Sequence, residues 1–235
     1  MRKIHYLFHP ALKDTDLSRY FDPEFWQQQH KILGSAKGRG TTWFINTQAE
    51  VGCNSALRHY YRGGLFGKLI KDHFLYLGLS RSRSIKEFKL LQQLTQKGLP
   101  IPTPIAARIT RTFCCYRADI LIELIENGQD LVAVLQQRAL PDALWRQIGQ
   151  LIKQLHDQQV FHSDLNAHNI LLQTHQQQYK FWLLDFDKCN FRAGDEWKAA
   201  NLQRLYRSFQ KEIQRYQIHF TEQNWQALLQ GYQAA

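Results

Sequence analysis

Between Ser84 and Pro100 the apolar residues Ile85, Phe88, Leu91 and Leu94 recur at three-residue spacing, and a helical period returns at Leu144, Ile148, Leu151, Ile152 and Leu155. Residues three and four apart share a helix face, so both segments are expected to be amphipathic helices. Ser84 and Glu87 have capping-box spacing, which starts the first helix at Ser84; Gly98 and then Pro100 stop it. A different pattern, β-branched and aromatic, marks Thr41-Thr42-Trp43-Phe44-Ile45 as a strand, with a second at Ser55-Ala56-Leu57-Arg58-His59-Tyr60. Gly34-Ser35-Ala36-Lys37-Gly38-Arg39-Gly40 reads as a flexible turn leading into the first of these, and Ile101-Pro102-Thr103-Pro104 as the start of an extended connection. Residues 113–117 and 120–125 resemble two further strands. The apolar runs 170–172 and 181–184 flank a glutamine-rich tip and predict a hairpin; residues 195–233 read as helical. The expectation is an α+β chain: a mostly antiparallel sheet with one helix over about 1–125, then a mainly helical region over about 126–235, in a single domain spanning 1–235.

Composition narrows the class. With 235 residues, 44% hydrophobic and 21% charged, the chain can bury a sizeable core and is not of disordered type. The N-terminal residues lack the apolar run of a signal peptide, and no stretch of about 18 apolar residues predicts a membrane-spanning helix. The cysteines Cys53, Cys114, Cys115 and Cys189 have neither disulfide-framework nor zinc-ligand spacing, so inert buried thiols in a reducing cytoplasm are expected. Thirty Lys and Arg against twenty Asp and Glu give a net charge of +10, which favours a polyanionic partner without choosing among nucleic acid, anionic membrane and phosphorylated substrate.

The chemistry concentrates after the second periodic helix. His162-Ser163-Asp164-Leu165-Asn166-Ala167-His168-Asn169 resembles the catalytic loop H-x-D-L-x-x-x-N of protein kinases, and Asp185-Phe186-Asp187 resembles the D-F-G motif beyond it. An aspartate on such a loop can orient or deprotonate an acceptor hydroxyl, which makes Asp164 the candidate catalytic residue. An asparagine five residues on and the first Asp of the second motif can hold magnesium, which assigns Asn169 and Asp185 as candidate metal ligands. Gly34, Gly38 and Gly40 could cradle ATP phosphates through backbone N–H groups, with Lys37 or Arg39 adding charge, although G-x-x-x-G-x-G is not the kinase glycine spacing. Arg58 stands where kinases carry a phosphate-binding lysine, with Arg62 and Lys68 nearby in sequence. Glu87 is either its ion-pair partner or the second half of the helix cap. His162-x-Asp164 with a distant histidine also fits a two-His-one-carboxylate iron site, but that reading leaves Asn169 and Asp185 without a role.

Further residues carry a resemblance to one branch of that fold. Leu57-Arg58-His59-Tyr60 with Arg62-Gly63-Gly64, the connection Gly98-Leu99-Pro100-Ile101-Pro102-Thr103-Pro104, the loop 162–169 and Asp185-Phe186-Asp187-Lys188 together resemble the lipopolysaccharide kinases, over about residues 34–190. The resemblance implies a protein-kinase-like two-lobe fold with a β-rich N-lobe and a reduced helical C-lobe. It implies ATP and Mg²⁺ as cofactors and a hydroxyl of the 3-deoxy-D-manno-octulosonic acid (Kdo) sugar on a lipid A precursor as acceptor. It further implies a peripheral position at the cytoplasmic, anionic face of a bacterial inner membrane, and no nucleic-acid partner. Ser163 in place of the H-R-D arginine, Asp187 in place of the D-F-G glycine and the lack of an A-P-E motif argue against a protein substrate. The segment from Arg62 to Arg83 mixes Lys68, Lys71 and Arg81 with Leu65, Phe66, Leu69, Ile70, Phe74 and Leu77. It suggests contact with an anionic glycolipid or membrane, unless its apolar residues fold inward. A heptose, aminoglycoside or choline kinase, a pseudokinase or a basic nucleic-acid-binding module are the alternatives.

Overall fold

Antiparallel pairing organises the first half of the chain. The computed structural model describes residues 2–9, 16–38, 40–63, 71–176 and 178–234. Its first strands are β1 (Arg2–Phe8), β2 (Ile32–Lys37), β3 (Thr41–Ile45), β4 (Ser55–His59), β5 (Phe74–Leu75), β6 (Pro104–Thr112) and β7 (Cys115–Glu123). Among the described residues they form one sheet ordered β1-β6-β7-β4-β3-β2, with β5 also paired to β7. The helices of this half are α1 (Pro23–Gln28), α2 (Gln48–Val51) and α3 (Arg83–Gln96). One cluster of its core joins Tyr20, Phe21 and Trp26 to Ile45, Leu57, Ile105, Ala106 and Leu121. The Trp26 indole donates to the Tyr20 carbonyl at 3.3 Å, so the large ring is buried with its polar atom satisfied.

Three expectations change here. β6 is a nine-residue central strand where the sequence suggests only the start of a connection. Both expected strands at 113–117 and 120–125 belong largely to β7. Phe113 is instead turn backbone (φ 51°) and 77% exposed, because the chain reverses between Thr112 and Cys115, which face each other across the hairpin. Gly34 lies within β2 at a register shift, so it belongs to the strand and the ladder runs on to the Lys37–Thr41 pair.

The second half contains β8 (Gly128–Asp130), α4 (Leu131–Gln137), α5 (Asp142–Asp157), β9 (Val160–Phe161), β10 (Ile170–His175), β11 (Gln178–Leu183), β12 (Asn190–Phe191), α6 (Glu196–Tyr216) and α7 (Glu222–Gln233). β8, β10 and β11 make a small antiparallel sheet, and β9 pairs with β12. α5 and α7 cross at glycines: a Cβ on Gly149 would stand 2.0 Å from the Leu228 carbonyl oxygen, and one on Gly231 2.1 Å from that of Arg146. Only a residue without a side chain allows that approach. Trp145, Phe209 and Phe220 complete the helical core, with the two phenylalanine rings stacked at 4.5 Å.

The chain divides into two compact units, residues 1–92 with 102–125, and 93–101 with 126–235. The last turn of α3 and its stop therefore belong to the second. That stop uses Gly98 in the left-handed region (φ 76°), with the Leu99 amide returning to the Leu94 carbonyl at 3.2 Å. The fold is α+β and protein-kinase-like, with one β-rich and one mainly helical unit.

Candidate active site

In the second unit, the amphipathic α5 delivers the chain through β9 into the loop 162–169. His162 is fully buried and both ring nitrogens are committed: Nε2 donates to the Leu184 carbonyl at 2.9 Å, and Nδ1 accepts from the Asp164 amide at 3.3 Å. Burial disfavours the imidazolium and pulls its pKa down, although its hydrogen bond to Leu184 and the nearby carboxylates oppose this. A neutral ring with both nitrogens occupied has no lone pair for a metal, which removes the iron reading. Its edge packs on Phe186, the middle residue of Asp185-Phe186-Asp187, at 5.1 Å.

The Asp164 carbonyl is the hub of the loop. Asn166 Nδ2 donates to it at 3.0 Å and Asn169 Nδ2 at 2.8 Å, while the Asn169 amide bonds back to Asn166 Oδ1 at 3.1 Å. With its nitrogen engaged, the Asn169 amide keeps Oδ1 as its acceptor end. The antiparallel β10–β11 pair then brings the second motif alongside: the Leu184 amide donates to the Asn169 carbonyl at 2.9 Å, next to Asp185. Asp185 itself sits in the left-handed region (φ 58°), a conformation aspartate tolerates better than most side chains. The turn that holds it is closed by the Cys189 amide on the Phe186 carbonyl (3.0 Å) and by Ser163 Oγ on the Asp187 carbonyl (3.1 Å).

The Asp164 carboxylate pairs with Arg204 of α6, and both side chains are about half exposed, 49% and 46%. Three more residues of α6 support the same loop. Asn201 Nδ2 donates to the His162 carbonyl at 2.9 Å, Ser208 Oγ accepts from the Ala167 amide at 3.0 Å, and buried Glu212 lies 3.6 Å from His168 Nε2. His168 Nδ1 also meets Asp130, the N-cap of α4, at 2.6 Å. Behind Asn201 stands His156, whose Nδ1 meets the Tyr232 hydroxyl at 2.9 Å and whose Nε2 meets Asn201 Oδ1 at 3.1 Å. Burial lowers the His156 pKa to about 4. Sequence reading identifies 195–233 only as helical. Its signal for these contacts is the polar set 201, 204, 208 and 212, spaced three and four apart on one face.

In the first unit, β2 and β3 pair around the glycine turn, and β3 in turn pairs with β4, so that Thr42 lies opposite both Ala36 and Arg58. Register thereby brings Gly34, Lys37, Gly38 and Gly40 to the sheet end that carries Arg58. The Gly38 amide closes the turn on the Gly40 carbonyl at 2.8 Å. A Cβ on Gly40 would stand 2.0 Å from the Tyr61 ring, so this position requires glycine unless the ring moves. Lys37 is exposed, and Arg39 lies outside the described residues.

Both Glu87 oxygens converge on Arg58 Nη2, at 2.6 and 2.8 Å, and the Tyr60 hydroxyl donates to the same carboxylate at 2.5 Å. The Glu87 side chain is 2% exposed. This settles its two sequence readings in favour of the ion pair. Helix α3 begins at Arg83, and the Ser84 hydroxyl goes to the Arg108 carbonyl of β6 at 3.1 Å, so no capping box forms. Residues 64–70 of the basic segment, Lys68 included, lie outside the described residues. Of its flanks, Phe74 packs beneath Arg83 (4.8 Å), whereas Leu75 and Leu77 are exposed.

Among the described residues no cluster of three or more His, Cys, Asp or Glu could hold a metal ion. Asn169 and Asp185 each carry oxygen donors of the kind that a small hard cation could take alongside phosphate and water.

The Lipopolysaccharide kinase (Kdo/WaaP) family model matches residues 23–232. A 3-deoxy-D-manno-octulosonic acid kinase of Haemophilus influenzae (strain 86-028NP) is 58% identical over 230 residues, 97% of this chain and 95% of the relative. A kinase of the same name from Pasteurella multocida (strain Pm70) is 51% identical, covering 99% of this chain and 98% of its own. Among solved structures, WaaP in complex with acyl carrier protein aligns with a TM-score of 0.62 at 15% identity, covering 98% of this chain and 89% of that one.

Proposed function

Because the chain belongs to the lipopolysaccharide kinase (Kdo/WaaP) family, we propose that it transfers the γ-phosphoryl group of ATP to a hydroxyl of Kdo on a lipid A precursor, in lipopolysaccharide core biosynthesis. The observation that carries the acceptor is the near-full-length identity with enzymes named for Kdo. Residues 1–235 act as one catalytic domain.

In this reading Asp164 accepts the proton of the attacking hydroxyl. The hydroxyl oxygen bonds to the γ-phosphorus as the bridge from that phosphorus to the β-phosphate breaks, and ADP leaves. The Asp164 backbone, held by Asn166 and Asn169, keeps the carboxylate in place for that transfer. Arg58, braced by Glu87 and Tyr60, binds the α- and β-phosphates. Its guanidinium stays charged where a lysine could lose its proton. Gly34, Gly38 and Gly40 admit the phosphates to backbone N–H groups, with Lys37 adding charge. Asn169 and Asp185 would hold Mg²⁺, which when bound neutralises charge on the phosphates.

The acceptor's lipid puts the reaction at a bilayer, and we assign the protein to the cytoplasmic face of the inner membrane as a peripheral component. Among the described residues no helix is long and apolar enough to cross a membrane. Exposed Leu75 and Leu77 near Lys71 and Arg81 support an interfacial contact with anionic lipid. One experiment tests acceptor and surface together. Labelled ATP and Mg²⁺ are supplied with Kdo-bearing or heptosylated lipid A precursor, in neutral or anionic vesicles. Transfer is expected only to the Kdo hydroxyls and faster on anionic vesicles; preference for heptose would remove the acceptor, and indifference to vesicle charge the surface contact.

A further inference from the structure

Asn201, Arg204, Ser208 and Glu212 meet His162, Asp164, Ala167 and His168 in the same order along helix and loop. Three of these four serve the loop's framework: Asn201 and Ser208 hold main-chain atoms, and Glu212 faces a histidine ring. Arg204 alone addresses the reactive carboxylate, and it is also the exposed member. An ion pair this accessible to water adds little to stability. Its guanidinium carries five N–H donors in a planar fork, and the contact to Asp164 engages Nη2 only. The residue is thus a cation placed by a rigid helix beside the proton acceptor, with donor capacity left over.

The proposed acceptor is a sugar acid, so one molecule presents both a hydroxyl and a carboxylate. A hydroxyl bound to Asp164 and a carboxylate bound to Arg204 would each sit one hydrogen bond, about 2.9 Å, from an ion pair that is itself in contact. That spacing is within reach of two substituents on a single sugar. We infer that Arg204 is the residue that recognises the acceptor's carboxylate, holding it while Asp164 takes up the hydroxyl, and so selects a sugar acid over a neutral sugar. The inference rests on the acceptor proposed above. Guanidinium suits the task better than an ammonium group, because its planar fork can bind one carboxylate and turn a second N–H to another.

The test crosses two changes. Wild type, Arg204→Gln and Arg204→Lys are each assayed with the native Kdo-bearing precursor and with the same precursor methyl-esterified at the Kdo carboxyl. For wild type the ester is expected to lower kcat/KM roughly 10- to 100-fold, the range for a lost charged hydrogen bond. Arg204→Gln should show a comparable loss on the native acceptor, mainly through acceptor KM, with KM for ATP unchanged and little further loss on the ester. Arg204→Lys should recover part of the difference, and thermal melts of both variants should match wild type. An ester penalty as large in Arg204→Gln as in wild type would overturn the inference and leave Arg204 acting through Asp164 alone. A wild type inactive on the native acceptor but active on another sugar would overturn the acceptor reading first, and this inference with it.

Discussion

Glu87 and Asp164 each face an arginine, but water reaches only one of them. The Glu87 side chain is 2% exposed, takes both contacts from Arg58 Nη2 and a third hydrogen bond from Tyr60, and sits between a sheet strand and a helix. The Asp164 side chain is 49% exposed and meets one guanidinium nitrogen of Arg204. A carboxylate taken out of water must be fully satisfied by fixed partners, and the arrangement it then enforces is rigid. A carboxylate left in water keeps its freedom to exchange partners, which a proton acceptor needs at each turnover. In the proposed function, the β-rich unit's pair would fix the arginine assigned to the phosphates, and the helical unit's pair would stand at the reacting end.

Removing either carboxylate should separate these roles. Glu87→Ala is expected to lower unfolding free energy by about 3 kcal/mol, the low end for breaking a buried pair because Arg58 keeps 25% exposure. ATP affinity should fall with it. A urea midpoint equal to wild type would show that the buried pair carries no stability.

A smaller effect should come from His156, buried behind the loop. Its folded pKa of about 4 lies below the unfolded value of 6.5, so the unfolded chain binds more protons between the two. Stability is thus complete above pH 6.5, falls as pH drops toward 4 and levels off below it. Between pH 7 and pH 5 this group alone should cost about 2 kcal/mol. Chemical denaturation of wild type and His156→Asn at both pH values reads the difference; an unchanged pH slope in the variant would exclude His156 as the source. The smallest stability change is expected at the exposed pair, where Arg204→Gln should lower unfolding free energy by less than about 1 kcal/mol while acceptor KM rises. Equal losses of stability in Arg204→Gln and Glu87→Ala would erase the contrast.

The α5 period and the β10–β11 hairpin are legible in the sequence because each buries one consistent face, and β3 because its residues are β-branched and aromatic. β6 is not. It lies between β1 and β7 and is buried on both faces along most of its length, so it lacks alternation. It also opens with Pro104 and contains Arg108, whose charge is met by Asp119 across the sheet at 2.8 Å. β1 is an edge strand whose residues are mostly exposed, and it gives no periodic signal either. In the site, Asp164, Asn169 and Asp185 can be read from order and spacing, since one loop and one hairpin carry all three. Arg204 stands forty residues beyond Asp164, and its place depends on which face α6 turns toward the loop. The Ser84 and Glu87 spacing misleads for a related reason: a local motif competes with Arg58, 29 residues away, and the long-range pair wins.

Phosphoryl transfer by Asp164→Asn at saturating ATP, onto the Kdo-bearing lipid A precursor, is the most direct measurement of the whole scheme. The substitution keeps size and hydrogen bonding but removes the proton acceptor. ATP affinity and thermal stability should match wild type while turnover falls roughly a thousandfold. Turnover within about tenfold of wild type would remove Asp164 from the chemistry and the helical unit's exposed pair from its assigned role.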